Sequence, residues 1–125
     1  MVKLRWKTSV IRGWDITSAA CIRAVHDETY EPRRVTKNRG GKLYSYVFLV
    51  HHGRLRWLPV HRLMAFSWLD PPHRLRNIVD HRDGNSLNNA VQNLRWLTWL
   101  KSQLKNLQRR HLPHRLYNKK RHVNC

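Results

Sequence analysis

Val79-Asp80-His81-Arg82-Asp83-Gly84-Asn85-Ser86-Leu87-Asn88-Asn89-Ala90-Val91-Gln92-Asn93-Leu94-Arg95-Trp96-Leu97-Thr98 is the stretch whose reading decides the fold. It sets an Asp-His pair, an Asp-Gly-Asn turn, two adjacent Asn and an Asn-Leu-Arg-Trp strand start in one short run. An imidazole beside a carboxylate supplies a general base and a metal ligand, the minimal set for hydrolysing a phosphodiester. Gly84, Asn85, Asn88 and Asn89 favour positive φ and local side-chain-to-backbone bonds, so the middle reads as an ordered loop. Ile78 and Val79 before it, and Leu94, Trp96 and Leu97 after it, have strand content. The outline is strand, loop, strand, then a helix from about Trp99.

Asp80-His81, Asp83-Gly84-Asn85, Asn88-Asn89 and Asn93-Leu94-Arg95-Trp96-Leu97-Thr98 together resemble the HNH endonuclease motif, in the form seen in phage and group I intron homing endonucleases. Val60-His61-Arg62-Leu63-Met64-Ala65-Phe66 resembles the helix that precedes the motif in those proteins. The likeness runs from roughly Ile16 to Asn106. It implies a ββα-metal core with His81 as general base, Asp80 as ligand of a divalent metal and Asn93 tying the arms of the loop together. The last motif position, an Asn or His on the helix in the family, falls on Ser102, which implies a weak or water-mediated ligand. Oxygen donors of this kind favour Mg²⁺ or Mn²⁺.

Lys and Arg number 25 against 7 Asp and Glu, a formal charge of +18 over 125 residues. Such a charge calls for a polyanionic partner, double-stranded DNA first, with RNA or a ribonucleoprotein as alternatives. No apolar run approaches the ~20 residues that span a bilayer, and the cations do not line one face of a long amphipathic helix. A membrane partner is therefore not expected, and the chain is expected in the cytoplasm of a prokaryotic or phage-infected cell. Asp83 is the last acidic residue, so the C-terminal third is one-signed and reads as phosphate-facing. Cys21 and Cys125 cannot form a CxxC zinc site, a disulfide is not expected, and Cys21 reads as a small buried hydrophobe.

Outward from the motif, the chain reads as an α+β protein: a small antiparallel sheet, the ββα-metal core and a basic C-terminal helix and tail. Residues 1–60 form a basic β region, 61–110 the HNH core with its preceding helix, and 111–125 a basic tail. Met1 to Trp14 is either an arm on nucleic acid or a strand packing its tryptophans. Ile16 to Val25 reads as a short strand by the resemblance and equally as a short helix from Ser18-Ala19-Ala20. Arg33 to Lys37, Leu43 to Val50 and Leu55 to Val60 read as strands, joined at Asn38-Arg39-Gly40-Gly41 and His51-His52-Gly53-Arg54. His61 to Leu69 is a short helix stopped by Asp70-Pro71-Pro72, with Leu63, Phe66 and Ser67 on one face flanked by Val60, Met64 and Trp68, and with His61 and Arg62 either facing DNA or an exposed cap. From Trp99, Leu100, Leu104 and Leu107 make an i, i+4, i+7 stripe expected to pack on the hairpin, with Pro113 ending the helix.

The candidate phosphate contacts are Arg33, Arg34, Lys37, Arg54 and Arg56 on the ribbon, and Arg82, Arg95, Lys101, Lys105, Arg109 and Arg110 around and after the motif. His51-His52 and His111 with His114 lack Cys or carboxylate partners and read as turn and tail residues. The function these readings support is a metal-dependent HNH homing-type endonuclease that nicks or cuts DNA. The rival is a catalytically weak or inactive HNH-derived protein that binds DNA, structured RNA or a ribonucleoprotein.

Overall fold

A computed structural model describes residues 5–109. Three antiparallel sheets and two helices make up this part of the chain. The N-terminal sheet joins β1 (Trp6–Thr8), β2 (Trp14–Thr17) and β3 (Ile22–Ala24) in sequence order. Of the first aromatic segment, residues 1–4 lie outside the described residues, Trp6–Thr8 is a strand and Trp14 begins the next, while Ile16 to Val25 is the end of β2, a turn at 18–21 and β3, with no helix. Trp6 lies under the Arg23 guanidinium, 4.0 Å from ring centroid to Cζ. Cys21 is buried as expected, and Cys125 lies outside the described residues.

The second sheet is the ribbon β4 (Arg34–Arg39), β5 (Lys42–His51) and β6 (Arg54–Pro59). Its two tight connections share one solution. Arg39 pairs with Lys42 across Gly40-Gly41, and His51 pairs with Arg54 across His52-Gly53. All four loop residues have positive φ (61°, 85°, 53° and 74°), which matches the right-handed twist of a two-residue hairpin and favours glycine. Alternation along β5 sends Val47 and Leu49 into the core and Lys42, Tyr44 and Tyr46 to the other face, with Arg39 opposite Lys42.

Helix α1 (Val60–Trp68) follows Pro59 without a break and stops at the extended Leu69 before Asp70-Pro71-Pro72. It buries Val60, Leu63, Met64, Ala65 and Ser67. Phe66, on one face with Leu63 and Ser67, is 42% exposed and meets Trp96 edge-on, 5.3 Å between centroids. The core joins all parts: Ile16 and Ile22 from the first sheet, Val47 and Leu49 from the second, Val60 and Met64 from α1, and Leu94 from the hairpin.

The hairpin pairs β7 (Arg76–His81) with β8 (Leu94–Thr98), bringing Asp80 opposite Arg95 and His81 opposite Leu94. Thr98 Oγ1 accepts the Lys101 N–H at 3.2 Å and starts α2 (Trp99–Arg109). The leucine stripe of α2 does not pack on the hairpin. Leu100, Leu104 and Leu107 are 62%, 52% and 51% exposed, and Ser102, Lys105 and Asn106 face inward. The hairpin wall beneath them carries Asp80 and Arg95, so charge pairing sets the helix rotation in place of apolar burial.

Met64 is fully buried where α1 meets the ribbon. Met64→Ala should lower stability by roughly 2–5 kcal/mol through the cavity it leaves, read as a fall in the urea midpoint at unchanged slope.

Candidate active site at the hairpin

Asn93 organises the loop between β7 and β8. Its Nδ2 donates to Asp83 Oδ1 at 3.0 Å and to the Asn88 carbonyl at 2.8 Å, and its Oδ1 accepts the Asp83 N–H at 3.1 Å. The Asn93 carbonyl accepts the Arg82 N–H at 2.7 Å. Asp83 in turn accepts from Asn85 N–H (2.8 Å) and Asn88 Nδ2 (2.9 Å). Burial alone raises the Asp83 pKa, but the bonds from Asn88, Asn85 and Asn93, with His81 nearby, hold it below the usual carboxylate value. Asp83 and Asn85 therefore hold the turn, as their Asx chemistry suggests.

This loop positions His81. Asn89, 3% exposed, places its Oδ1 2.8 Å from His81 Nε2. An amide oxygen only accepts, so Nε2 carries the proton and the lone pair of the neutral ring is on Nδ1. Burial lowers the His81 pKa and the Asn89 bond, Asp83 and Asp80 only partly restore it, while Lys105 opposes them. The ring is neutral at pH 7 and able to accept a proton. Asn89 is the partner that the motif reading left unassigned; its position eight residues after His81 carries no periodic signal.

His81 and Asp80 open on a cleft of about 590 Å³. One wall is the outer face of the ribbon, with Arg39, Lys42, Tyr44 and Tyr46. The opposite side is α2, with Ser102, Lys105 and Asn106. Asp80, His81 and Ser102 therefore share one cleft. Asp80 is already charge-paired: Arg95 Nε donates to Oδ2 at 2.8 Å, and Lys105 Nζ donates to Oδ1 at 2.8 Å and Oδ2 at 3.0 Å. Among the described residues no cluster of three or more His, Cys, Asp or Glu is poised for a metal.

His61 lies in the same cleft rather than on an exposed cap. Its ring is 5.5 Å from His81 and 5.3 Å from Tyr44, centroid to centroid. Burial first, then His81 and Arg62, push its pKa down to about 3. Helix position alone could not reveal this, because the wall it faces comes from β5 and β7.

Of the candidate phosphate contacts, Arg33, Arg34, Lys37, Arg54, Arg56, Arg82 and Lys101 are exposed. Arg34 donates to the Ala20 carbonyl, and Arg95 and Lys105 are on Asp80. Arg109 ends α2. Arg110, His111, His114, Pro113 and the 111–125 tail lie outside the described residues. Lys42, whose Nζ donates to Asn106 Oδ1 at 3.4 Å, Arg39 and Tyr44 are cleft residues that the sequence reading did not single out.

No family model matches the chain. An uncharacterized HNH endonuclease of Acanthamoeba polyphaga mimivirus, L245, is 45% identical across 53% of this chain and 22% of its own length. Among solved structures, the HNH homing endonuclease I-HmuI, which binds and cleaves DNA, matches with a TM-score of 0.68 and 25% identity. That match covers 87% of this chain and 61% of I-HmuI. The chain thus spans about a fifth of the viral relative and less than two thirds of the solved one.

The low pKa of His61 makes stability depend on pH. The unfolded chain protonates this ring near 6.5, the folded chain near 3. Its contribution is complete above pH 6.5 and is lost as pH falls towards 3, at up to about 1.4 kcal/mol per pH unit. Urea midpoints at pH 7.5 and 5.0 should fall steeply for the wild type and less for His61→Gln; equal falls would remove His61 from the acid response.

Proposed function

We propose that the chain is an HNH endonuclease, a reading supported by its likeness to L245 and I-HmuI, and that it hydrolyses phosphodiester bonds of double-stranded DNA with His81 as the base. The observation that carries this reading is the buried, neutral His81 held through Nε2 by Asn89 beside Asp80 in an open cleft. Nδ1 takes a proton from water, the water oxygen attacks phosphorus, and the bond to the 3′ oxygen breaks, that oxygen leaving with a proton from solvent. The products are a 5′-phosphate and a 3′-hydroxyl. Asn89 keeps the ring in the accepting tautomer, and Asn93 keeps Asn89 and His81 at fixed separation through the loop.

The Asp80 carboxylate and the Ser102 hydroxyl are oxygen donors on one cleft, a chemistry that suits Mg²⁺ or Mn²⁺. A divalent ion there would offset charge growing on the phosphate and the leaving oxygen. Ser102 has a neutral, short donor and would act weakly or through water. Arg39, Lys42 and Arg62 give the cleft the charge to receive a DNA backbone, and Arg33, Lys37, Arg54, Arg56, Arg82 and Lys101 extend it outward. A homing role, with the site recognised and whether one or both strands are cut, belongs to this proposal too.

Supercoiled plasmid with Mg²⁺ or Mn²⁺ is the direct test. His81→Ala should lose nicking by at least about 10²-fold while duplex affinity stays within a few fold, because phosphates do the holding. Equal nicking by the variant removes His81 from the chemistry. A wild type that binds DNA and nicks with neither metal favours the binding-only reading.

A further inference from the structure

The ammonium of Lys105 occupies the oxygen group that Asp80 would offer to a metal. It donates to Asp80 Oδ1 at 2.8 Å, to Asp80 Oδ2 at 3.0 Å and to the His81 carbonyl at 2.6 Å. A lysine has three donors, and all three find an oxygen here. Two carboxylate oxygens and a main-chain carbonyl at a strand end are also donors of the kind hard cations take. Lys105 comes from the face of α2 that carries Ser102, one helical turn further on.

We propose that Lys105 is a tethered cation that competes with divalent metal for Asp80, so that metal loads only when the ammonium leaves. This rests on the ligand role proposed above for Asp80. Three physical points carry it. The tether keeps the ammonium at high effective concentration beside the carboxylate, whereas a free ion must be drawn from solution. Arg95 holds the same carboxylate, so one negative charge already faces two positive ones, and a divalent ion entering beside them meets like-charge repulsion. Finally, the Lys105 side chain is 30% exposed, which gives the ammonium a route out of the site without unfolding the helix.

The test is Mn²⁺ binding to the full chain without DNA, followed by electron paramagnetic resonance of the free ion at fixed ionic strength. Lys105→Met should bind Mn²⁺ at least about tenfold more tightly than the wild type. Lys105→Arg, which keeps a cation on the tether, should stay near the wild type. Adding Asp80→Asn to Lys105→Met should remove the gain. Lys105→Gln serves in the same way if the Met variant does not fold, as judged by circular dichroism. No tightening in either neutral variant, or tightening that survives Asp80→Asn, overturns the proposal. Cleavage is a separate readout. Tighter Mn²⁺ binding in a chain that nicks nothing leaves this inference standing and fails the hydrolysis reading, and nicking with unchanged Mn²⁺ binding does the reverse.

Discussion

The Asn93 amide is the constraint on which the site depends. It is 8% exposed, and its bonds to Asp83 and Asn88 join the two ends of the loop that leaves β7 and enters β8. A buried amide left without partners costs about 1–3 kcal/mol, so the loop has one favourable closure. That closure places Asn89 against His81 and starts β8 in register with β7, with Arg95 opposite Asp80. The direction of β8 then fixes α2, and α2 carries Ser102 and Lys105 to the cleft. A second tie, Val91 N–H to the Ser18 carbonyl at 2.9 Å, anchors the loop to the N-terminal sheet. The loop is therefore part of the scaffold, and it holds the His81 side chain at the end of β7 in place.

Much of this was legible in the sequence because it is local. The ribbon announced itself through β-branched and aromatic strands around Gly40-Gly41 and His52-Gly53. The loop did so through Asp83-Gly84-Asn85 and the later asparagines, whose side chains bond backbone a few residues away. What the sequence left obscure depends on partners distant along the chain. The leucines of α2 have a helical period, but a period names a stripe and not the surface it meets. Here the facing wall held a carboxylate, and Lys105 outcompeted the leucines for it. Phe66 likewise shares a helix face with Leu63, and only its edge-on partner Trp96 on β8 shows where its ring goes.

The cations show the same limit. A net charge of +18 points to a polyanion but does not say which cations are free for it. Arg34, Arg95 and Lys105 have internal acceptors at Ala20 and Asp80, and only contacts between separate elements reveal that. His61 carries the converse lesson. It reads as a helix-start residue, yet it lines the cleft with His81, and the two rings form a close pair that stays uncharged at neutral pH. Two neutral imidazoles in a basic cleft leave the positive field to the surrounding Lys and Arg, and leave His81 free to take up a proton.

The account turns on which nitrogen of His81 bears its proton, and long-range ¹H–¹⁵N correlation of the side-chain imidazole at pH 7 reads that directly. The account predicts a neutral ring protonated on Nε2, with the pattern lost in Asn89→Ala. A ring protonated on Nδ1, or doubly protonated at pH 7, contradicts it.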